Sequence, residues 1–106
     1  MRVLSANVAG INSTPKMHYF FSLAKRMNAM ITFFQECKLK HEDLPFLKLK
    51  WGSDHVFLSS TDRPSRGVIT MLHPSLQPEI IQTDICPRGQ FIIITFRTSG
   101  TLYTVA

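Results

Sequence analysis

This 106-residue sequence predicts an α/β domain with mixed, mostly antiparallel sheets. Three observations carry that expectation. Residues 2–8, RVLSANV, alternate along a strand; residues 16–28 carry apolar side chains at helical spacing; residues 30–34 form an unbroken apolar run. Strand, helix and strand in that order, followed by short strands separated by turn residues, put helices and sheets in separate layers.

In the first strand Val3, Ser5 and Asn7 share one face and Leu4, Ala6 and Val8 the other. Gly10 and Asn12-Ser13-Thr14-Pro15 break it, and Ser13 or Thr14 is placed to cap a helix that has Pro15 at its first position. Met17, Phe20, Phe21, Leu23, Ala24 and Met27 then form an apolar stripe opposite Lys16, Lys25 and Arg26, a helix lying on a sheet. Met30 to Phe34 lacks polar alternation, as in a strand covered on both faces. KLKHEDLPFLKLKWG is polar and broken by Pro45, so a short helix and a loop are expected. HVFLSS reads as a third strand, TDRPSR as a turn, GVITMLH as a fourth strand ended by Pro74, and EIIQTDI as a fifth. Pro87-Arg88-Gly89 turns into QFIIITFRT, which Ser99-Gly100 joins to TLYTVA as a hairpin.

The totals bound the function. A hydrophobic content of 44% supplies a core for one domain. Net charge +5 and a pI near 9.6 suit an anionic partner such as nucleic acid or an acidic membrane surface, although many small domains are basic for no specific reason. Cys37 and Cys86 form neither a disulfide framework nor a CxxC pair, so free thiols in a reducing, intracellular compartment are expected. No signal peptide is recognisable at the N-terminus, and no apolar run reaches the ~18 residues a membrane span needs. The final run, GTLYTVA, is strand-like with no turn signal after it, which suggests a piece of something longer.

A crossover through one helix makes the first two strands parallel and adjacent. Asn7 and Gln35-Glu36 then lie at the same carboxyl end, where ligand sites in such sheets collect. A carboxylate ending a doubly covered strand calls for a positive partner: a divalent cation with oxygen ligands, or Lys38. The plain alternative makes Glu36 the first exposed residue after the strand, paired with Lys38 or Lys40, and Asn7 a turn former before Gly10. Periodicity by itself leaves both open.

The ordered set VLSANVAGINS, ITFFQECKLK and SRGVITML, with WG between the last two, resembles the endonuclease/exonuclease/phosphatase superfamily. That superfamily includes DNase I, the exonuclease III-type apurinic endonucleases and the endonuclease domains of non-LTR retrotransposons. Its opening strand typically reads like ILSWNVNGL, its second ends in LQETKL, and SRGVAIL lies further on. The hairpin GQFIIITF…GTLYTVA also resembles the strands preceding the family's Asn-x-Tyr-Ala-Pro segment. The resemblance implies the N-terminal half of a four-layer α/β sandwich over residues 1–106, truncated before its catalytic C-terminal half, which would be its intramolecular partner. It also implies that Asn7 positions the scissile phosphate, Glu36 binds Mg²⁺ or Mn²⁺, and Gln35 supports Glu36 from behind. Ala6 stands where the family often has Trp, Cys37 where it has Thr, and Ala9 where Asn or Asp is common, leaving that turn without a second metal ligand. The second-half Asn, Asp and general-base His have no counterparts here, and Ser53-Asp54-His55 lies in the wrong half to supply them.

The function this implies is part of a Mg²⁺-dependent phosphodiesterase, foremost a DNA endonuclease, inactive as the fragment. The alternatives are a non-catalytic nucleic-acid-binding remnant and a degenerate retroelement fragment; NVAGINSTPKMH has the flavour of the retrotransposon enzymes. Lys38, Ser65 and Arg66 are candidate nucleic-acid contacts, and Lys16 with His18 opens the first helix near the same end. Action on DNA, intracellular and within the nucleus, with no membrane association, completes the expectation.

Overall fold

Strands β1 (Val3–Asn7) and β2 (Ile31–Gln35) pair in parallel, Val3 opposite Ile31 and Asn7 opposite Gln35, with helix α1 (Thr14–Arg26) between them in sequence. The computed structural model describes residues 1–61 and 66–106. A 3₁₀ turn (His41–Asp43) leads into helix α2 (Leu44–Trp51), followed by β3 (Val56–Ser59) and β4 (Val68–Leu72). A second 3₁₀ turn (Pro74–Leu76) precedes β5 (Glu79–Ile85), β6 (Ile92–Thr98) and β7 (Thr101–Val105). The first sheet has the order β1-β2-β4-β3, antiparallel beyond its parallel β1/β2 edge; the second, β5-β6-β7, is antiparallel throughout.

Two cores follow from the period-2 alternation of the first sheet. On one face Phe34, Ile69, Met71 and Leu58 meet Met17, Phe21, Leu47 and Trp51 of the helices. On the other, Ile31, Phe33 and Leu72 meet Ile92, Ile94 and Phe96 of the second sheet. β2 is thus covered on both sides, as its unbroken apolar run predicts, in three layers: helices, mixed sheet, antiparallel sheet. The Ser59 hydroxyl donates to the Cys86 carbonyl and stitches the two sheets together.

Local chemistry sets the element ends. α1 begins one or two residues earlier than its apolar stripe suggests, with Ser13 as N-cap and Pro15 in the first turn, where a missing N–H costs nothing. At its other end the Ala29 N–H donates to Ala24 C=O (3.1 Å) and Asn28 N–H to Lys25 C=O (3.1 Å). This is a Schellman motif with Asn28 in the left-handed position, φ +52°. Asn28→Val is expected to lower stability by about 1–2 kcal/mol in urea titration while Asn28→Gly does not; equal stability of all three would refute that role.

Pro45 does not break the 41–51 segment but starts its helix. Trp51 fixes that helix by donating from Nε1 to Leu72 C=O (3.0 Å) and packing edge-on against Phe21. The expected hairpin is present, with Ser99 (φ +49°) and Gly100 (φ +77°) as a two-residue turn of the type that matches strand twist. Of the turn expected at TDRPSR, positions 62–65 lie outside the described residues, and Ser65 with them.

Candidate functional site

The parallel ladder continues past both strands. Val8 N–H donates to Gln35 C=O (3.0 Å), Gly10 N–H to Glu36 C=O (2.7 Å), and Ile11 N–H to Cys37 C=O (2.9 Å). From the other side Cys37 N–H donates to Gly67 C=O (3.0 Å). Peptide groups around Glu36 are therefore held between the loop after β1 and the loop before β4. Asn7 and Glu36 share the carboxyl rim, one residue out of register, and both are exposed.

The rim is built on unusual backbone. Ala9 (φ +49°), Glu36 (φ +54°) and Lys38 (φ +57°) are non-glycine residues in the left-handed region. Each such residue costs about 1–2 kcal/mol, and residues of this kind cluster at functional sites. Two glycines complete the rim. Gly67 (φ +130°) has Ser59 C=O 3.5 Å and Lys38 N 3.7 Å from where a Cβ would sit. Gly89 (φ +73°) would place a Cβ 3.4 Å from Gly67 N and 3.5 Å from Arg66 Cβ, so this turn and the 66–67 loop pack backbone to backbone.

Each expected side chain has a definite setting. Asn7 Oδ1 accepts from Ala9 N–H (3.0 Å), so its carbonyl closes the turn after β1. Lys16 Nζ donates to Ala9 C=O (3.1 Å) and clamps the same turn to α1. Gln35 Nε2 donates to Ser5 Oγ (3.2 Å) along the face shared by β1 and β2. Lys38 lays its stem across Gly10, its Cδ 3.1 Å from where a Cβ there would sit. No ion pair joins Glu36 to Lys38 or Lys40: among the described residues the one ion pair is Arg97–Glu79, 3.6 Å, far from this rim in sequence and on the second sheet.

Glu36 and Arg66 line one hollow of about 500 Å³ together with Gln35, Gly67, Gly89 and Gln90. Gly89 and Gln90 lie outside the set expected from sequence. The available signal was the Pro87-Arg88-Gly89 turn, which identifies a loop but not the site it faces. Cys37, although next to Glu36, points inward and is fully buried. Burial pushes its thiol up to about 12, and the thiol donates to Phe34 C=O (3.4 Å), so it is not a thiolate ligand for a rim cation.

Ser53 and His55 bond each other in a local turn, Oγ to Nδ1, 3.0 Å. His55 C=O accepts from Leu72 N–H (3.0 Å), at the opposite end of the sheet from Glu36. About five residues of strand, roughly 17 Å, separate the two ends. Among the described residues no group of three or more His, Cys, Asp or Glu is placed to hold a metal, and no helix is long and apolar enough to cross a membrane.

No family model and no curated relative matches the chain. Solved structures do. A humanized TDP2 from D. rerio carrying 14 mutations is similar at TM-score 0.63 and 20% identity, over 96% of this chain and 46% of that one. D. rerio TDP2 complexed with a single-strand DNA product is similar at TM-score 0.66 and 20% identity, over 96% of this chain and 42% of that one. The chain thus spans less than half the length of these neighbours, and at this identity the likeness is one of fold: this is an α/β chain with the architecture of DNase I-like proteins.

Proposed function

We propose that this chain supplies one side of a divalent-metal-dependent phosphodiesterase site for DNA. The carrying observation is the rim itself. Two adjacent parallel strands set Asn7 opposite Gln35 and end on Glu36, which stands on left-handed backbone in a hollow shared with Arg66, in a fold similar to part of a protein solved on a DNA product. Strain of this kind persists when the surrounding structure over-determines it, here through hydrogen bonds on both sides of Glu36.

The donor set fits a shared metal rather than a caged one. Mg²⁺ commonly takes one or two carboxylates and leaves its other positions to water and substrate phosphate. Glu36 offers that carboxylate, exposed and without a bonded cation among the described residues. Mg²⁺ or Mn²⁺ bound there would neutralise charge developing on the phosphoryl oxygens. Gln35, tied to Ser5, buttresses the strand end that carries Glu36. Asn7 holds the β1 turn through Oδ1 and keeps its amide N–H₂ as a donor toward the phosphate. Arg66 gives the phosphodiester a cationic border, and Lys38 and Ser65 are proposed as further contacts.

The general base belongs, on this proposal, to a C-terminal half completing a fourth layer, and the fragment by itself does not turn over. A DNA endonuclease of retroelement type, working inside the cell and in the nucleus, is the specific form proposed. The two unpaired, buried thiols are consistent with a reducing compartment. The test is Mn²⁺ titration monitored by electron paramagnetic resonance. Glu36→Gln should weaken binding at least about tenfold relative to the parent chain, and unchanged Mn²⁺ affinity would dismiss the metal role.

A second reading has its own support. Asn7 Oδ1 is occupied by Ala9 N–H, and no multi-carboxylate cluster is present among the described residues. Both features suit a remnant that binds nucleic acid through charge without cleaving it. Such a remnant would bind DNA with steep salt dependence and show no response to Glu36→Gln.

A further inference from the structure

A second hollow adjoins the proposed phosphodiester site. It measures about 280 Å³ and lies where the two sheets meet beneath the rim, with Ser5, Phe33, Gln90, Phe91 and Ala106 in its wall. Gln35, Val68 and Gln90 line both hollows, so the two lie side by side. Their chemistry differs. The first has Glu36 and Arg66 on backbone-rich walls; the second has aromatic rings bordered by the Gln35 and Gln90 amides.

Phe91 lines the second hollow and is 43% exposed, so its ring is accessible there. Its placement is fixed by its backbone, since Phe91 C=O accepts from Cys86 N–H (3.0 Å) across the turn before β6. The neighbouring Gln35 has committed its N–H to Ser5, and its amide oxygen has no donor among the described residues. Gln90 is exposed and carries both a donor and an acceptor.

From this juxtaposition we infer that Phe91 is a stacking platform for one unpaired nucleobase, whose adjacent phosphate lies in the Glu36–Arg66 hollow. The inference rests on the reading of that hollow as the phosphodiester site. A space of this size is just below the range that holds drug-sized ligands, which suits a single ring system. Every base has a π-face, so Phe91 would hold a base without demanding a particular one. The Gln35 oxygen and the Gln90 amide can then meet whichever polar edge is presented. Net charge +5 on the chain attracts the polyanion, and the aromatic step converts that attraction into a preference for single strands. A duplex end or an unpaired stretch can present such a base; an internal paired base cannot.

The experiment is fluorescence anisotropy with two labelled oligomers of equal length, oligothymidylate and a fully abasic tetrahydrofuran phosphodiester. The parent chain should prefer the base-bearing oligomer by at least about fivefold, the lower end of a single stacking contact. Phe91→Ala should erase that preference by weakening oligothymidylate alone, and Phe91→Trp should restore it. Arg66→Ala should weaken both oligomers alike. Equal parent affinity for the two oligomers, or a Phe91→Ala loss shared by both, overturns the platform and leaves the phosphodiester reading standing. Failure to bind either oligomer overturns it as well. The reading beneath it is judged separately, by the response of Mn²⁺ binding to Glu36→Gln.

Discussion

Phe34→Ala is expected to lower stability by about 3–5 kcal/mol, the range for removing a fully buried aromatic ring. Phe34 is 0% exposed, with Phe20 at 5.7 Å and Phe21 at 6.2 Å between ring centroids. It is the residue through which β2 grips α1, and the chain reaches Gln35 and Glu36 directly after it. For a domain whose whole stability is of order 5–15 kcal/mol, that loss removes a large share. A fall of at least about 12 °C in the melting temperature, followed by circular dichroism, is the expected readout. Phe34→Leu keeps much of the volume and should lose less than half as much. A shift of no more than a degree or two for Phe34→Ala would mean that the helix and the strand do not share this core.

The second large effect is at Glu36, where function and stability are expected to move in opposite directions. In a chain that includes the remainder of the fold its neighbours span, Glu36→Gln and Glu36→Gly should both slow phosphodiester cleavage at least about a hundredfold. That is the scale of losing one electrostatic stabiliser of the transition state. The two variants should separate in stability. Gln keeps the left-handed strain and, being exposed, should fall within about 0.5 kcal/mol of the parent. Gly removes a strain of about 1–2 kcal/mol and adds about 0.5–1 kcal/mol of unfolded-state entropy, for a net gain of up to about 1.5 kcal/mol. A Glu36→Gln protein cleaving at the parent rate would strip the carboxylate of its role. A Glu36→Gly protein less stable than the parent would show that the rim stores no strain.

The opposition explains a local contradiction. φ +54° is a poor conformation for glutamate, and a glycine at position 36 would fold more readily. On the proposed function, the acid at this position serves through its charge despite that backbone strain.

Some elements were readable and others were not, for separable reasons. The alternation of RVLSANV and the helical stripe from Met17 to Met27 each turn one face inward at a fixed period, so their type and place follow from local pattern; EIIQTDI is a strand as expected, although it is exposed apart from half-buried Ile80 and is held by its pairing with β6. The segment 41–51 has apolar residues without a single stripe, and Leu49 remains 79% exposed. Its helix depends on Trp51 reaching Leu72, a partner 21 residues away. The adjacency of Asn7 and Gln35-Glu36 was deducible from chain order, because one helical crossover leaves little choice.

By itself, then, the sequence determined the strand–helix–strand opening, the burial of β2 on both faces and the sharing of one rim by Asn7 and Glu36, because periodicity and connectivity are properties of the chain read in order. Only the tertiary structure decided that Ala9, Glu36 and Lys38 adopt left-handed backbone, that Lys38 lies over Gly10 instead of pairing with Glu36, and that Gly89 and Gln90 join the rim with Phe91 in the hollow next to it. These features arise where distant loops close on each other, Gly67 against Gly89 and Gly10 against Lys38. Such contacts override local preference, and no short window of residues contains them.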